Sequence, residues 1–345
     1  MSDYAIGIDL GGTNLKAALV HRADGLVERR VTPTEADQGP DHVVDRMAGL
    51  VRDLLDAAPE TGVAGIGIGS PGTINWERTT IRQPPNLPGW LEVNLRTALH
   101  SRLADGIPDR TPDRTDDKTD DEGEDPVVLV ENDANVAGLG SAYYGSGRPF
   151  DSFVMVTLGT GVGGAIIYQN RIFRGATGAA GEIGHMTVNH AGPFENFGIG
   201  GAVEGYVGQR FLSHHARLRL RSQTDSLVHT LLDGDLDALS PKTLYEAAEA
   251  GDEPAREVLA WAGHKLGVVL GSAVNLLDIR TIIVGGGVSA AGTYILDPAR
   301  EALREFTIPN LRSGLQLLRE DRGNDVGLLG AARLAFDGED AQVGR

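Results

Sequence analysis

The sequence predicts an α/β chain folded as two related lobes that face a cleft. Three observations point there: a strand, glycine turn, strand unit near the start, a second copy of that unit near the middle, and apolar strands interleaved with stretches of helical periodicity. The segment Leu10-Gly-Gly-Thr-Asn-Leu-Lys-Ala-Ala-Leu-Val20 lies over Leu158-Gly-Thr-Gly-Val-Gly-Gly-Ala-Ile-Ile-Tyr168 without a gap. Each copy follows an apolar strand and leads into a hairpin. The expected lobes are residues 1–132 with 327–345, and residues 133–326. Ligands of such folds sit between the lobes.

The elements follow in order. Tyr4 to Leu10 reads as a strand, Gly11-Gly12-Thr13 as its turn, Leu15 to Val20 as a second strand, and Asp24-Gly25 as the hairpin turn into a third, Leu26 to Val31. A phosphate-binding P-loop or a dinucleotide fold would run from the glycines into a helix, so both are disfavoured. Asp41 is placed to cap a helix whose apolar positions Val44, Met47, Leu50, Val51, Leu54 and Leu55 recur at helical spacing. The strand Val63 to Ile68 ends in Gly69-Ser70-Pro71-Gly72, either an ordinary tight turn or one that presents backbone to a ligand.

Residues 105–126 carry ten acidic side chains against Arg110, Arg114 and Lys118 and read as a solvated surface insertion. A buried-type strand, Val127 to Val130, then leads through Glu131-Asn132-Asp133-Ala134-Asn135 into a helix ending near Tyr144. Beyond the second glycine turn come a helical stretch around Glu257 to Leu277, a strand Thr281 to Val284, and a third turn at Gly285-Gly286-Gly287. A last helix starts near Val326, with Gly327, Ala331 and Ala332 as small contact residues, and is expected to cross back to the first lobe.

Composition bounds the function. A chain of 345 residues with 41% hydrophobic and 23% charged content is globular and long enough for two domains. The net charge of −17 repels nucleic acid and anionic lipid, and such acidity suits a salt-rich cytoplasm. The absence of cysteine excludes disulfides, thiolate catalysis and any Cys-ligated zinc or iron–sulfur site. With Asp9 inside the first apolar run and no basic segment before it, the N-terminus does not read as a signal peptide, and no stretch of the sequence is long and apolar enough to span a bilayer. The expected location is the cytoplasm, and the expected assembly a homo-oligomer, dimer or tetramer.

Glycine hairpins bind phosphate because residues without Cβ let backbone N–H groups converge on anionic oxygens. Thr13 and Lys16 would add a hydroxyl and a charge, and Asp9 at the strand end would hold Mg²⁺ through water. Phosphoryl transfer further requires that an acceptor hydroxyl be aimed and relieved of its proton, work for one carboxylate. Asp133 sits after a buried strand and before a helix. The plainer alternative is that it only caps that helix, but Asn132 and Asn135 beside it supply the donors and acceptors that a polyol needs. Gly181-Glu182-Ile183-Gly184-His185 and Glu204 add two carboxylates and an imidazole, and Gly192 to Gly201 between them, with Phe194 and Phe197, reads as an ordered lid.

These residues resemble the ROK family of sugar kinases and related repressors, within the superfamily that joins sugar kinases, heat-shock chaperones and actin, along nearly the whole chain. Asp9-Leu-Gly-Gly-Thr13, Glu131-Asn-Asp-Ala-Asn135, Leu158-Gly-Thr-Gly-Val-Gly-Gly164, Gly181-Glu-Ile-Gly-His185 and Val284-Gly-Gly-Gly-Val288 look like its phosphate, catalytic and adenosine motifs in order. The resemblance implies two ribonuclease H-like (actin/hexokinase-type) lobes, ATP and Mg²⁺ as cosubstrates, and Asp133 as the base. By the same match Asn132, Asp133, Glu182, His185 and Glu204 contact the sugar, with Gly72 and Asn86. Asp9, Gly11, Gly12, Thr13, Asn14, Lys16, Thr160, Gly161, Gly286 and Gly287 serve the nucleotide. The segment Pro85-Asn86-Leu87-Pro88-Gly89-Trp90 is similar to that of the family's glucokinases and fructokinases and favours a hexose, glucose first.

One departure stands out. The family holds zinc through the motif histidine and three cysteines, whose positions here match Glu195, Phe197 and Ala202. No structural zinc is therefore expected. His185 is left to the sugar, and the loop must be fixed by packing, with Phe197 as the candidate. The competing readings are a kinase for fructose, mannose or an N-acetylhexosamine, and a sugar-responsive repressor. The repressor is disfavoured because the phosphate motif begins at Asp9, leaving no room before it for a helix-turn-helix, and because the charge opposes DNA. A chaperone or filament-forming protein would have no use for the Glu182 to Glu204 constellation.

Overall fold

A computed structural model of the chain describes residues 2–104 and 127–338, so the acidic insertion expected at 105–126 lies outside the described residues. In chain order the strands are β1 (Tyr4–Leu10), β2 (Asn14–His21), β3 (Gly25–Pro33), β4 (Gly65–Ser70), β5 (Thr73–Ile74), β6 (Thr80–Arg82), β7 (Glu92–Asn94), β8 (Val127–Asn132), β9 (Phe153–Leu158), β10 (Val162–Tyr168), β11 (Arg171–Ile172), β12 (Thr281–Gly285) and β13 (Gln316–Arg319). The helices are α1 (Pro40–Ala57), α2 (Leu95–Ala104), α3 (Asp133–Tyr144), α4 (Glu204–Val207), α5 (Gln209–Leu220), α6 (Leu227–Leu231), α7 (Pro241–Glu249), α8 (Glu253–Leu277), α9 (Thr293–Glu305) and α10 (Val326–Asp337). None of them is long and apolar enough to cross a membrane.

The chain divides into two compact units, residues 1–144 with 174–179 and 325–345, and residues 145–173 with 180–324. The first unit keeps α3, beyond the boundary expected at residue 132, because α3 packs closely on α10: a Cβ on Gly330 would lie 1.6 Å from the Val136 carbonyl oxygen.

Both units are built on the same sheet. The strand orders are β3-β2-β1-β4-β8 and β11-β10-β9-β12-β13. In the first, β1/β2 and β2/β3 are antiparallel while β1/β4 and β4/β8 are parallel. In the second, β9/β10 and β10/β11 are antiparallel while β9/β12 and β12/β13 are parallel. The short repeat visible in the sequence is thus the visible part of a repeat of whole sheets.

Side-chain alternation sorts the two faces of the first sheet. Ile6, Ile8 and Leu10 of β1 join Val44, Met47, Val51 and Leu54 of α1 in one core. Ala5 and Gly7 face the other way, toward α10, and there the residues are small for a reason. A Cβ on Gly7 would lie 2.1 Å from the Leu328 carbonyl oxygen, and one on Gly67 would lie 1.8 Å from that of Ala331. The backbone of α10 therefore rests directly on the sheet. Ala331 and Ala332 belong to this contact as expected from the sequence, but Gly327 does not: its missing Cβ faces open space, and the α10 glycine that meets a neighbour, Gly330, packs on α3.

Helix α1 starts at Pro40 behind Gly39, so Asp41 is not its cap as expected. It lies in the first turn and pairs with Arg102 at 2.6 Å. Proline supplies the fixed φ and needs no N–H partner, which makes a side-chain cap dispensable. The second core gathers Val154, Val156 and Leu158 of β9 with α8 and α9. Asp252 caps α8 by accepting from Ala255 N at 2.8 Å. Between α8 and α9 the small residues are on the helix and not on a strand: Gly263 and Gly267 would each place a Cβ within 2.3 Å of an α9 carbonyl oxygen.

Candidate active site

The first glycine turn joins β1 to β2. Gly11 N donates to Asn14 O at 3.2 Å, Thr34 N to Thr13 O at 2.9 Å, and Thr34 Oγ1 to Gly11 O at 2.6 Å, which leaves the Thr13 and Asn14 side chains exposed. The register puts Lys16 opposite Asp9, and the ammonium reaches the carboxylate at 2.7 Å with both side chains about a quarter exposed. The turn thus carries a closed ion pair where the sequence suggested a lone cation. Gly12 packs against Asn86, whose Cβ would lie 2.9 Å from an added Cβ, so the 85–90 segment is seated on this turn.

Asp133 is the first residue of α3, exposed at the end of the otherwise buried β8. Asn132 caps the helix: its Oδ1 accepts from Ala134 N at 3.0 Å and from Asn135 N at 3.3 Å, while its Nδ2 points to the Gly72 carbonyl at 3.5 Å. Asp133 Oδ1 accepts from Ala134 N at 2.8 Å. Asn132 thus takes both Ala134 N and Asn135 N, and Asp133 shares only the first of these amides.

Behind these residues lies a cluster the sequence did not announce. Glu131 is fully buried, and its Oε2 lies 3.0 Å from Arg78 Nε and 2.9 Å from Arg174 Nε. Its Oε1 accepts from Asn132 N at 2.9 Å and from Asn135 Nδ2 at 3.1 Å. Arg174 donates further to the Trp76 and Asn75 carbonyls at 2.8 and 2.9 Å and lies over the Trp76 ring. Burial holds the Arg174 pKa below its ordinary value; Glu131 opposes that shift and Arg78 adds to it. Two buried cations share one buried anion, and the anion grips the backbone and side chain on either side of Asp133. Glu131 was legible as part of a motif, but nothing in the local pattern marks Arg78 or Arg174.

In the second unit, Gly159 N donates to Gly161 O at 3.0 Å and Thr160 is exposed. The third turn leans on the second: Gly286 has φ +83°, and a Cβ there would lie within 2.7 Å of three backbone atoms of Leu158. Neither strain nor a neighbour demands glycine at 159 or 287, where an added Cβ meets nothing within 4 Å. Glu204 is buried, with Oε2 accepting from Val162 N at 2.9 Å and Oε1 3.5 Å from Asn196 Nδ2. Expected as a sugar contact, it also ties the second glycine turn to the 192–201 loop.

Gly181 to His185 lies along β10. A Cβ on Gly164 would be 2.3 Å from the Gly181 carbonyl oxygen, so the strand must be bare for the motif to rest there. His185 stands between two carboxylates, with Nε2 3.6 Å from Glu182 and Nδ1 3.7 Å from Glu195. The loop is not fixed by Phe197, whose side chain is 64% exposed and meets His185 only edge-on, with ring centroids 5.0 Å apart. Glu195 fixes it: Oε1 accepts from Ile199 N at 2.9 Å and Oε2 from Phe197 N at 2.8 Å. A zinc ion does not fit this donor set. One imidazole, one carboxylate already accepting two N–H groups, a phenyl and a methyl stand at the four positions, and among the described residues no group of three or more potential ligands could hold a metal.

The chain is 31% identical over 330 residues to a glucokinase of Thermotoga maritima, covering 95% of this chain and 96% of the relative. It is 32% identical over 337 residues to a glucokinase of Streptomyces coelicolor, covering 96% of each. A ROK family glucokinase of Streptomyces griseus, solved in complex with glucose and AMPPNP, superposes with a TM-score of 0.81 at 31% identity, covering 97% of this chain and 100% of that one. The ROK family model matches residues 5–107 and 122–337. Paired sheets of one strand order, glycine turns at their strand ends and a match along nearly the whole length agree: the chain belongs to the ROK family.

Proposed function

We propose that this protein is an ATP-dependent kinase that transfers the terminal phosphoryl group of ATP to a hydroxyl of a hexose, glucose being the favoured acceptor. The observation that carries the reading is Asp133, an exposed carboxylate at the end of a buried strand whose helix is capped by another residue. As the acceptor oxygen attacks the γ-phosphorus, Asp133 takes the hydroxyl proton and the bond from phosphorus to the β,γ-bridging oxygen breaks. Asn132, Glu182, His185 and Glu204, with Gly72 and Asn86, bind the sugar hydroxyls. Thr13, Asn14, Lys16, Thr160 and the glycines at 11, 12, 161, 286 and 287 bind the nucleotide. Glycines at 159 and 287, required by neither packing nor strain, suit a backbone that a phosphate approaches closely.

The turn residues fit a magnesium ion. One oxygen of Asp9 is engaged by Lys16, and we assign the other to a magnesium held through water, where the ion would neutralise phosphate charge. The acidity of the chain supports work in a salt-rich cytoplasm. Fructose, mannose and N-acetylhexosamines are the alternative acceptors.

A coupled assay of the purified protein tests the reading, with a panel of these sugars, ATP or polyphosphate as donor, and both low and multimolar salt. The expected result is the highest kcat/KM for glucose with ATP and Mg²⁺. Failure to phosphorylate any sugar under any of these conditions would overturn it.

A further inference from the structure

We infer that the Glu195 carboxylate does for this loop what a bound metal would do, and that it positions His185. The inference rests on the reading of His185 as a sugar contact. A carboxylate with a fully buried side chain is costly to keep ionised without compensation, by several kcal/mol. Glu195 has three compensating partners, all from one short stretch of the chain. Two are the amides of Phe197 and Ile199, at 2.8 and 2.9 Å. The third is the imidazole of His185, whose Nδ1 lies 3.7 Å from Oε2, buried and without a hydrogen bond. An approach of under an ångström closes that gap to hydrogen-bond length.

The backbone around the carboxylate is closed as well. Glu195 N donates to Ile199 O and Gly198 N to Glu195 O, and the ends of the loop are joined by Val188 N to Gly201 O at 2.8 Å and Val203 N to Met186 O at 3.0 Å. The loop is therefore wrapped around one acidic group, which reaches back to the histidine of the motif. The arrangement also selects a tautomer. A carboxylate faces each ring nitrogen, but Glu195 is buried while Glu182 is exposed and screened by water, so the stronger pull holds the proton on Nδ1 and leaves Nε2 as the acceptor for a sugar hydroxyl. Glu195 is a positioning residue: it acts on substrate through His185.

The test uses the full chain. Elemental analysis of protein expressed with added zinc should show far less than one zinc per chain, and neither ZnCl₂ nor a chelator should move Tm. In the ¹⁵N-histidine spectrum, the signals lost in His185→Gln should be those of an Nδ1-protonated ring. Glu195→Gln should shift those signals and raise the hexose KM about tenfold or more, with kcat and the ATP KM nearly unchanged. Stoichiometric zinc whose removal lowers Tm would overturn the proposal, as would an Nε2-protonated His185 in the unmodified protein. If Glu195→Gln fails to fold, the zinc content and the unmodified spectrum still decide. If no sugar is phosphorylated, the kinase reading fails while these two measurements judge Glu195 by themselves.

Discussion

In the first sheet the carboxylate beside the glycine turn belongs to the strand, Asp9 of β1, and Lys16 neutralises it across the hairpin. In the second sheet the matching positions are Thr157 and Gly164, and the carboxylate comes from α4 as Glu204, which accepts a backbone amide. The strand order is the same in both. What differs is how each turn is held, and the difference frees a surface. Where Lys16 covers one strand, the bare Gly164 lets Gly181 to His185 rest on the other. A similar contrast runs through the charged groups behind the two sites. Glu131 is held by two buried arginines, whereas Glu195 is held by two backbone amides, with His185 3.7 Å away.

The proposed reading puts proton transfer in the first unit, at Asp133, so the largest effect is expected there. Asp133→Asn should lower kcat by about 10²–10⁴-fold while leaving the KM for sugar and ATP close to unchanged, measured by steady-state kinetics. Near-normal turnover would break the assignment. Next in size, Glu131→Ala should cost about 3–5 kcal/mol in denaturant unfolding, because it strands two buried guanidinium groups.

Gly164→Ala sharpens the contrast between the strands. The new methyl would meet the Gly181 carbonyl oxygen first and the Ile183 side chain beside it, so a loss of about 1–3 kcal/mol is expected, with the hexose KM rising more than the ATP KM. Its counterpart Lys16→Met removes a partly exposed pair and should change stability by less than about 1 kcal/mol while raising the ATP KM.

The smallest effect concerns acid. Burial holds His215 below the ordinary histidine pKa, although its bond to the Gly205 carbonyl opposes the shift. The unfolded chain therefore takes up this proton first as pH falls through the ordinary histidine range, and stability declines from there downward. His215→Gln should flatten the fall of Tm between neutral and mildly acidic pH.

Much of this architecture is written locally. A glycine turn between two apolar strands, twice, was enough to read the paired hairpins, and the alternation of Ile6, Ile8 and Leu10 marks a strand with a buried face. Asp133 was legible because a polar residue directly after a buried strand is conspicuous. Caps were less so: Asp41 had the right residue type, but Pro40 had already started the helix, and Asn132 capped α3 in place of Asp133. Gly330 and not Gly327 met a neighbour, since the face of a helix that touches is fixed by its partner.

The sequence by itself determined the two sheets, their turns and the acidic residue at the end of β8, because strand periodicity and glycine backbone freedom act over a few neighbouring residues. Only the tertiary structure decided that Arg78 and Arg174 converge on Glu131, that Lys16 is already paired, and that Glu195 stands behind His185. Those are matters of charge and hydrogen bonding in buried space. A buried charge takes the partners that the folded chain brings to it, whatever their distance in sequence.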